Sequence, residues 1–233
     1  MSKFIETFGN QPVLLPVIHV VSEKQALENA QILSQENVRG SFLISMDGMP
    51  NSKLLEIHSR VKSEYPKLWL GINLLTTSVK RVFEKIDNRV DGVWTDNAMI
   101  HEGSQAQKDA QEIVEARIKS GWDGLYFGGI AFKGQRKVDN PASVAMIAGE
   151  YMDVVTTSGE RTGKPPEIAK ISDMKNAIGN TPLGIASGIS IDNISDYIGI
   201  ADCFLVASSM LQPGTDNFDR GKVRDLQGFF ILR

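Results

Sequence analysis

A single-domain (β/α)8 barrel over residues 1–233 is the fold that this chain predicts, and three observations predict it. Strand-like apolar runs begin near residues 12, 40, 67, 91, 123, 153, 182 and 203, a recurrence of about 27 residues with a helical pattern between them. The runs are continuous in Val, Ile and Leu, as in parallel strands covered on both faces. Several end in Gly, Ser, Thr, Asn or Asp, where the βα loops of a barrel converge. An open doubly wound sheet shares the alternation, but no G-x-G-x-x-G turn follows the first run.

In chain order, PVLLPVIHV (Pro12 to Val20) is the first strand, and Ser22 with Gln25 forms an S-x-x-Q capping box that opens a helix to about Asn37. GSFLISM is the second strand; after the turn DGMPNS comes a helix carrying Leu54, Leu55, Ile57 and Val61, with His58 on its solvated side. KLWLGINLL is the third strand, and Val79, Val82, Phe83 and Ile86 then fall at i, i+3, i+4, i+7, the spacing of one buried helix face. DGVWTDNA is the fourth, followed by an amphipathic helix from Ser104 to Gly121 with Ala106, Ala110, Ile113, Val114 and Ile118 on its apolar side. DGLYFGGI is the fifth. A basic loop, AFKGQRKV, leads to Asn140 as N-cap with Pro141 at the first helical position. From Asp153 to Met210 come three more strands separated by two helical stretches, and a helix from Asp219 closes the chain.

A net charge of −3 and a pI of about 5.7, with Lys and Arg scattered, leave no basic face for a phosphate backbone, which excludes nucleic acid as an expected partner. The single cysteine, Cys203, lies in the apolar run CFLVA and reads as a small buried residue in a reducing compartment. MSKFIETFGNQ has no apolar signal core, and VLLPVIHVV is too short to span a bilayer. The expectation is a cytoplasmic protein without membrane insertion. Exposed helix faces leave room for a homo-oligomer, though no stripe marks one.

In such a barrel the chemistry belongs at the C-terminal strand ends. Strand six ends in Ser158 and Gly159, followed by Thr162 and Gly163; strand seven ends in Ser187 and Gly188, and strand eight in Ser208 and Ser209. Successive backbone N–H groups at such turns favour an anion, which points to a phosphate site, with Arg161 suited to a bidentate grip. Glycines that merely permit tight turns are the competing reading, weakened by two such turns side by side. His19, Asp47, Asp96 and Lys133 are the candidate proton carriers, with Asn73 and Asn97 beside them as polar contacts. Asp47 and Asp96 would be the ligands if a hard cation such as Mg²⁺ bound, and no H-x-H, HExxH or Cys/His cluster suggests another metal. Lys133 could pair with a phosphate or with a developing enolate. His101, in the loop after the fourth strand, reads as a bystander.

The segment TSGERTGKPPEIAKISDMKNAIGNTPLGIASGISIDNI, with LGINLL at Leu70 to Leu75 and VIHV at Val17 to Val20, resembles the BtpA family over nearly the whole chain. The strand-six pattern T-G-x-x-T-G-x-x-P matches Ser158, Gly159, Thr162, Gly163 and Pro166; S-G-[IV] matches Ser187, Gly188 and Ile189; G-[VI]-N-x-L matches Gly71, Ile72, Asn73 and Leu75; the strand-one histidine matches His19. The resemblance implies a TIM barrel related to phosphate-binding barrels, in a family named for a photosystem I biogenesis factor, with members in sugar-utilisation gene clusters. Lys133 stands as counterpart of a lysine common at the strand-five ending. The family's Pro-rich loop after the histidine and its Glu-Asn pair closing strand two are missing here, where VIHV runs on to SEKQ and strand two ends Ile44, Ser45, Met46, Asp47. That marks a divergent member with altered substrate or lost activity.

Three functions compete. The leading one is an isomerase, epimerase or lyase acting on a small phosphorylated metabolite such as a sugar phosphate. The second is a non-catalytic assembly or regulatory factor, as the family's name implies. The third, phosphoribosyl transfer, is suggested by TTSGERTG, but Val154 and Val155 stand where that chemistry needs two acids.

Overall fold

Eight short parallel strands close on themselves in sequence order: β1 Val13–Val20, β2 Gly40–Ser45, β3 Trp69–Asn73, β4 Gly92–Thr95, β5 Leu125–Gly129, β6 Val154–Thr157, β7 Leu183–Ile185 and β8 Cys203–Val206, with β8 pairing back onto β1. The helices are α1 Lys3–Phe8, α2 Glu23–Gln35, α3 Asn51–Glu64, α4 Val79–Val82, α5 Lys108–Ser120, α6 Pro141–Ala148, α7 Ile168–Ile178 and α8 Arg220–Ile231. The architecture is a (β/α)8 barrel, as the 27-residue recurrence predicts. This computed structural model describes residues 2–45, 48–104 and 106–231. Among them no helix is long and apolar enough to cross a membrane.

Alternation along the strands divides two apolar layers. Val17, Phe42, Ile44, Trp94, Phe127 and Leu205 point into the barrel, while Ile18, Leu43, Ile72, Val93 and Phe204 point out against the helices. Large and small residues interlock inside. A Cβ on Gly71 would lie 2.4 Å from the Phe42 ring, and one on Gly92 would lie 2.3 Å from Trp69, so the two aromatic side chains occupy the space of the two missing ones. Helix α1, not foreseen from the sequence, adds Phe4 and Phe8 to this interior cluster and stacks Phe8 edge-on to Trp69.

Three carboxylates repeat one device at the N-terminal ends of β4, β6 and β8. Asp91 accepts from the Leu70 N–H (2.7 Å) and Lys62 (2.6 Å), Asp153 from the Tyr126 N–H (2.7 Å) and Arg117 (2.7 Å), and Asp202 from the Leu183 N–H (2.7 Å) and Lys175 (2.7 Å). Each ties a helix to the strand that follows it and to the next strand. Asp153→Ala strands a guanidinium and an N–H together, so a loss of about 2 kcal/mol is expected. In a chain of this length that lowers the thermal midpoint by roughly 4–8 °C, measurable by calorimetry, with ligand binding at the opposite barrel end unchanged.

Departures from expectation have local causes. The capping box is half formed: Ser22 Oγ accepts from the Gln25 N–H (3.2 Å), but the Gln25 side chain reaches back to the Val21 N–H, not to that of Ser22. His58 is not solvated surface. It completes the buried i, i+3, i+4, i+7 face of α3 with Leu54, Ile57 and Val61, is 2 % exposed, and has Nε2 3.0 Å from the Leu70 carbonyl. Burial pushes its imidazole down from the ordinary histidine value. Helix α4 is a single turn, although Val79, Val82 and Phe83 are buried as the spacing predicts. Helix α5 starts only at Lys108, because the buried Gln107 side chain donates to the His101 and Ser104 carbonyls (both 2.8 Å) and accepts from the His101 N–H, engagements that tie Gln107 to the loop before the helix. Ala106 is consequently outside the helix and exposed, and Ile118, within α5, is exposed as well and not on its buried side. Between β7 and β8 the expected helix shrinks to a 3-10 turn, Ile194–Asp196, since Asn193 bonds the Ser190 N–H and the Gly188 carbonyl and competes with helical pairing.

Candidate functional site

The C-terminal strand ends open into a cavity of about 650 Å³. Val17, Ile44, Trp94, Ala186 and Leu205, the last inward-facing layer of the barrel, form an apolar floor. Around it stand His19, next to last in β1, Asp96 just past β4, Lys133 in the loop after β5, Thr162 and Gly163 after β6, Ser187 and Gly188 after β7, and Ser208 and Ser209 after β8. Nine of the sequence-predicted site residues thus meet in one space.

Asp96 accepts from Asn73 Nδ2 at 3.0 Å, and Asn73 is itself 3 % exposed at the end of β3. Burial pushes the Asp96 carboxyl above its ordinary value, against the opposing pull of the Asn73 amide and the Lys133 charge. The loop holding Lys133 is fixed at two points: its N–H donates to Ser158 Oγ (2.8 Å), and Gln135 Nε2 donates to the carbonyls of Asp96 and Gly129. Lys133 Nζ then reaches over the mouth to Thr162 Oγ1 at 3.1 Å. His19 sits at the opposite side, with Nδ1 3.7 Å from Asp216 Oδ1.

The glycine-rich turns divide into scaffold and rim. Ser158 is fully buried, its hydroxyl bonded to the Lys133 N–H and the Gly159 carbonyl. Ser187 Oγ accepts from the Gly159 N–H (3.0 Å) and donates to the Lys164 carbonyl (3.2 Å), so this hydroxyl links the β6 and β7 turns although the residue lines the cavity. Gly159 packs on that same segment: a Cβ there would lie 2.1 Å from the Lys164 carbonyl oxygen. Lys170 Nζ, at 2.8 Å from both the Ala131 and Ser158 carbonyls, pins the loops from behind, and burial brings its ammonium down to about 8. On the rim, the N–H groups of Gly188, Ser208 and Ser209 donate to no protein oxygen among the described residues. Ser209 Oγ donates to the Ile189 carbonyl at 2.8 Å, joining the β7 and β8 turns.

Other sequence-predicted residues stand apart. Arg161 is exposed and outside the cavity wall, and Ser158 and Gly159 lie behind it. Asn97 opens onto a neighbouring depression with Asn73 and Asp96, its Oδ1 engaged by the Met99 N–H at 2.9 Å. His101 is exposed, 3.1 Å from Asp109. Asp47 lies outside the described residues, and among those described no group of three His, Cys, Asp or Glu gathers that could hold a metal ion. Sequence reasoning missed Asp216, Lys170 and Asn29, and saw in Gln25 only a capping residue. Asn29 left a signal of its own, a polar residue on the buried stripe of a helix with Ala26, Ala30 and Leu33.

A model of the BtpA family matches residues 57–228, a span that holds every site element except β1 and β2. The Photosystem I biogenesis protein BtpA of Synechocystis sp. is 29 % identical over 134 residues, covering 56 % of this chain and 45 % of that protein, so the match spans less than half of that relative. Among solved structures, the (S)-3-O-geranylgeranylglyceryl phosphate synthase of Thermoplasma acidophilum superposes with a TM-score of 0.68 at 12 % identity, covering 99 % of this chain and 98 % of the other. The phosphoribosyl anthranilate isomerase of Thermus thermophilus gives 0.65 at 13 %, covering 93 % and 96 %. A 3-hexulose-6-phosphate synthase gives 0.66 at 13 %, covering 93 % and 98 %. At such identities the likeness is one of fold.

Proposed function

The chain belongs to the BtpA family, and on that premise we propose that it is an enzyme that moves a proton on a small phosphorylated metabolite, in an isomerisation, epimerisation or carbon–carbon lysis. One observation carries the reading: the same cavity holds unengaged backbone donors at the β7 and β8 turns and, across its mouth, a half-buried carboxyl that feels the charge of an ammonium group lining the same space. The phosphate rests on the N–H groups of Gly188, Ser208 and Ser209, where a dianion finds donors without side-chain rearrangement. The metabolite's carbon skeleton then lies over the apolar floor toward Asp96.

Asp96 as carboxylate takes the proton from a carbon beside a carbonyl, and the electron pair moves onto the carbonyl oxygen. Lys133 stabilises that oxyanion from the rim, and His19 returns or relays a proton on the other side. A raised carboxyl suits the base role, since it holds an abstracted proton more tightly than an ordinary carboxylate does. The three solved proteins of like fold are named for phosphorylated or phosphoribosyl compounds, which is consistent with the reading as an analogy.

The test is thermal stability against phosphorylated sugars, their unphosphorylated counterparts, inorganic phosphate and Mg²⁺. A ligand at about 100 times its Kd adds roughly 2.7 kcal/mol, some 5–10 °C here. Stabilisation is expected from phosphorylated members alone and is expected to vanish in Ser208→Asp, whose exposed side chain adds a negative charge at the rim without disturbing packing. If no phosphorylated compound raised the midpoint, an assembly or regulatory role would replace this one.

A further inference from the structure

Gln25 and Asn29 stand four residues apart on the buried face of α2, 6 % and 0 % exposed, among Ala26, Ala30 and Leu33. Buried carboxamides need partners, and these find theirs in two chain segments far apart in sequence. Gln25 Nε2 donates to the His19 carbonyl (3.0 Å) and the Asp216 carbonyl (2.7 Å), while its Oε1 accepts from the Val21 N–H (3.3 Å). Asn29 Nδ2 donates to the Asp216 carbonyl (2.9 Å), and its Oδ1 accepts from the Phe218 N–H (2.8 Å). The loop that carries Asp216 is a short antiparallel turn, with Leu211 bridged to Phe218 and the Gln212 N–H on the Asn217 carbonyl at 2.9 Å. The two amides therefore lock this loop to the end of β1, and what the lock brings together is the Asp216 carboxylate and His19 Nδ1, 3.7 Å apart with side chains 19 % (His19) and 39 % (Asp216) exposed.

We propose that Asp216 is a positioning residue for His19: it keeps the imidazole proton on Nδ1 and the ring turned so that Nε2 is the nitrogen that exchanges protons with a ligand in the cavity. A small rotation of either side chain brings the pair from 3.7 Å to hydrogen-bond distance. A carboxylate on one ring nitrogen fixes the tautomer and stabilises the imidazolium that forms when the other nitrogen takes a proton. Asp96 and Lys133, of opposite charge, line the same cavity, and Asp47, beyond the end of β2, lies outside the described residues. The inference builds on the reading of His19 as a working group, but its test reads the imidazole alone and does not depend on whether a phosphorylated compound binds.

Nitrogen-15 and proton NMR of the three histidines across a pH series provides that test. The His19 signals are assigned by their loss in His19→Gln, and His101, beside Asp109, serves as internal reference. Asp216→Asn keeps the backbone carbonyl that Gln25 and Asn29 hold, so the loop stays in place while the charge goes. The expected result is a neutral His19 protonated at Nδ1 in the unsubstituted protein, a mixed tautomer in Asp216→Asn, and a His19 midpoint lower by about 0.5–1 pH unit, with His101 unmoved. Asp216→Ser guards against a misfolded variant and should behave alike, and Asp216→Glu should restore the tautomer. An unchanged tautomer and midpoint in Asp216→Asn, or a change produced by Asp47→Asn instead, would overturn the assignment.

Discussion

Gly188→Ala is expected to lose about 3–5 kcal/mol, lowering the thermal midpoint by roughly 10 °C or more, and to lose phosphate-dependent stabilisation with it. Two costs combine. Gly188 has φ +68°, a conformation that L side chains adopt at about 1 kcal/mol or more. A Cβ there would also lie 2.1 Å from the Pro165 nitrogen and 2.3 Å from the Lys164 carbonyl carbon, backbone atoms that cannot swing aside. Gly163→Ala is the control: φ is +79°, yet nothing stands within 4 Å of the added carbon, so only about 1 kcal/mol is expected. Equal losses in both, read by calorimetry, would mean that the close approach of the β6 and β7 turns contributes nothing.

Asp96→Asn is expected to reduce turnover by about 10²–10⁴-fold, while the ligand that stabilises the unsubstituted protein still binds. The same substitution should raise the thermal midpoint near neutral pH. The sign follows from linkage. Burial raises the folded-state value of Asp96, so the folded chain holds its proton more tightly than the unfolded one, and stability falls as pH climbs from the ordinary carboxylate range through the raised value. Asn carries no charge to bury and still offers an oxygen to Asn73 Nδ2, so its advantage exists at neutral pH and closes on acidification. Calorimetry of both proteins at two pH values checks this. A midpoint that drops on substitution at neutral pH would show that Asp96 stabilises the fold and is not held at a functional cost.

Strand positions were legible because a buried parallel strand needs an unbroken apolar run, and each run here is bounded by a turn and a helix stripe. The starts at Gly40 and Cys203 coincide with the expected ones, and the others lie within two residues. What failed were short connections in which one side chain overrides helix propensity: Gln107 before α5 and Asn193 after β7 each spend their amide groups on the backbone around them. Helix α1 carries a pattern too short to read, yet its two phenylalanines are needed inside the barrel.

The site was legible only as far as topology carries it. Strand ends face one edge, so His19, Asp96 and the Gly188 and Ser208 turns could be gathered from sequence, but not the use each side chain is put to. Ser158 and Ser187 have the same residue type and setting as Ser208, and their hydroxyls bind neighbouring loops because the β6 turn folds under residues 164–165. Asp216 ends no strand, and nothing in its local sequence marks it. Its carboxylate comes to His19 because the amides of α2 hold its loop there.

The central claim, that the β7 and β8 turns hold a phosphate, is tested most directly by following backbone amide resonances while inorganic phosphate and then a phosphorylated metabolite are added. Saturable downfield movement of the Gly188, Ser208 and Ser209 amides at one shared affinity, lost in Ser208→Asp, is the expected result. Amides at these three positions that stay unmoved while resonances elsewhere respond would contradict it.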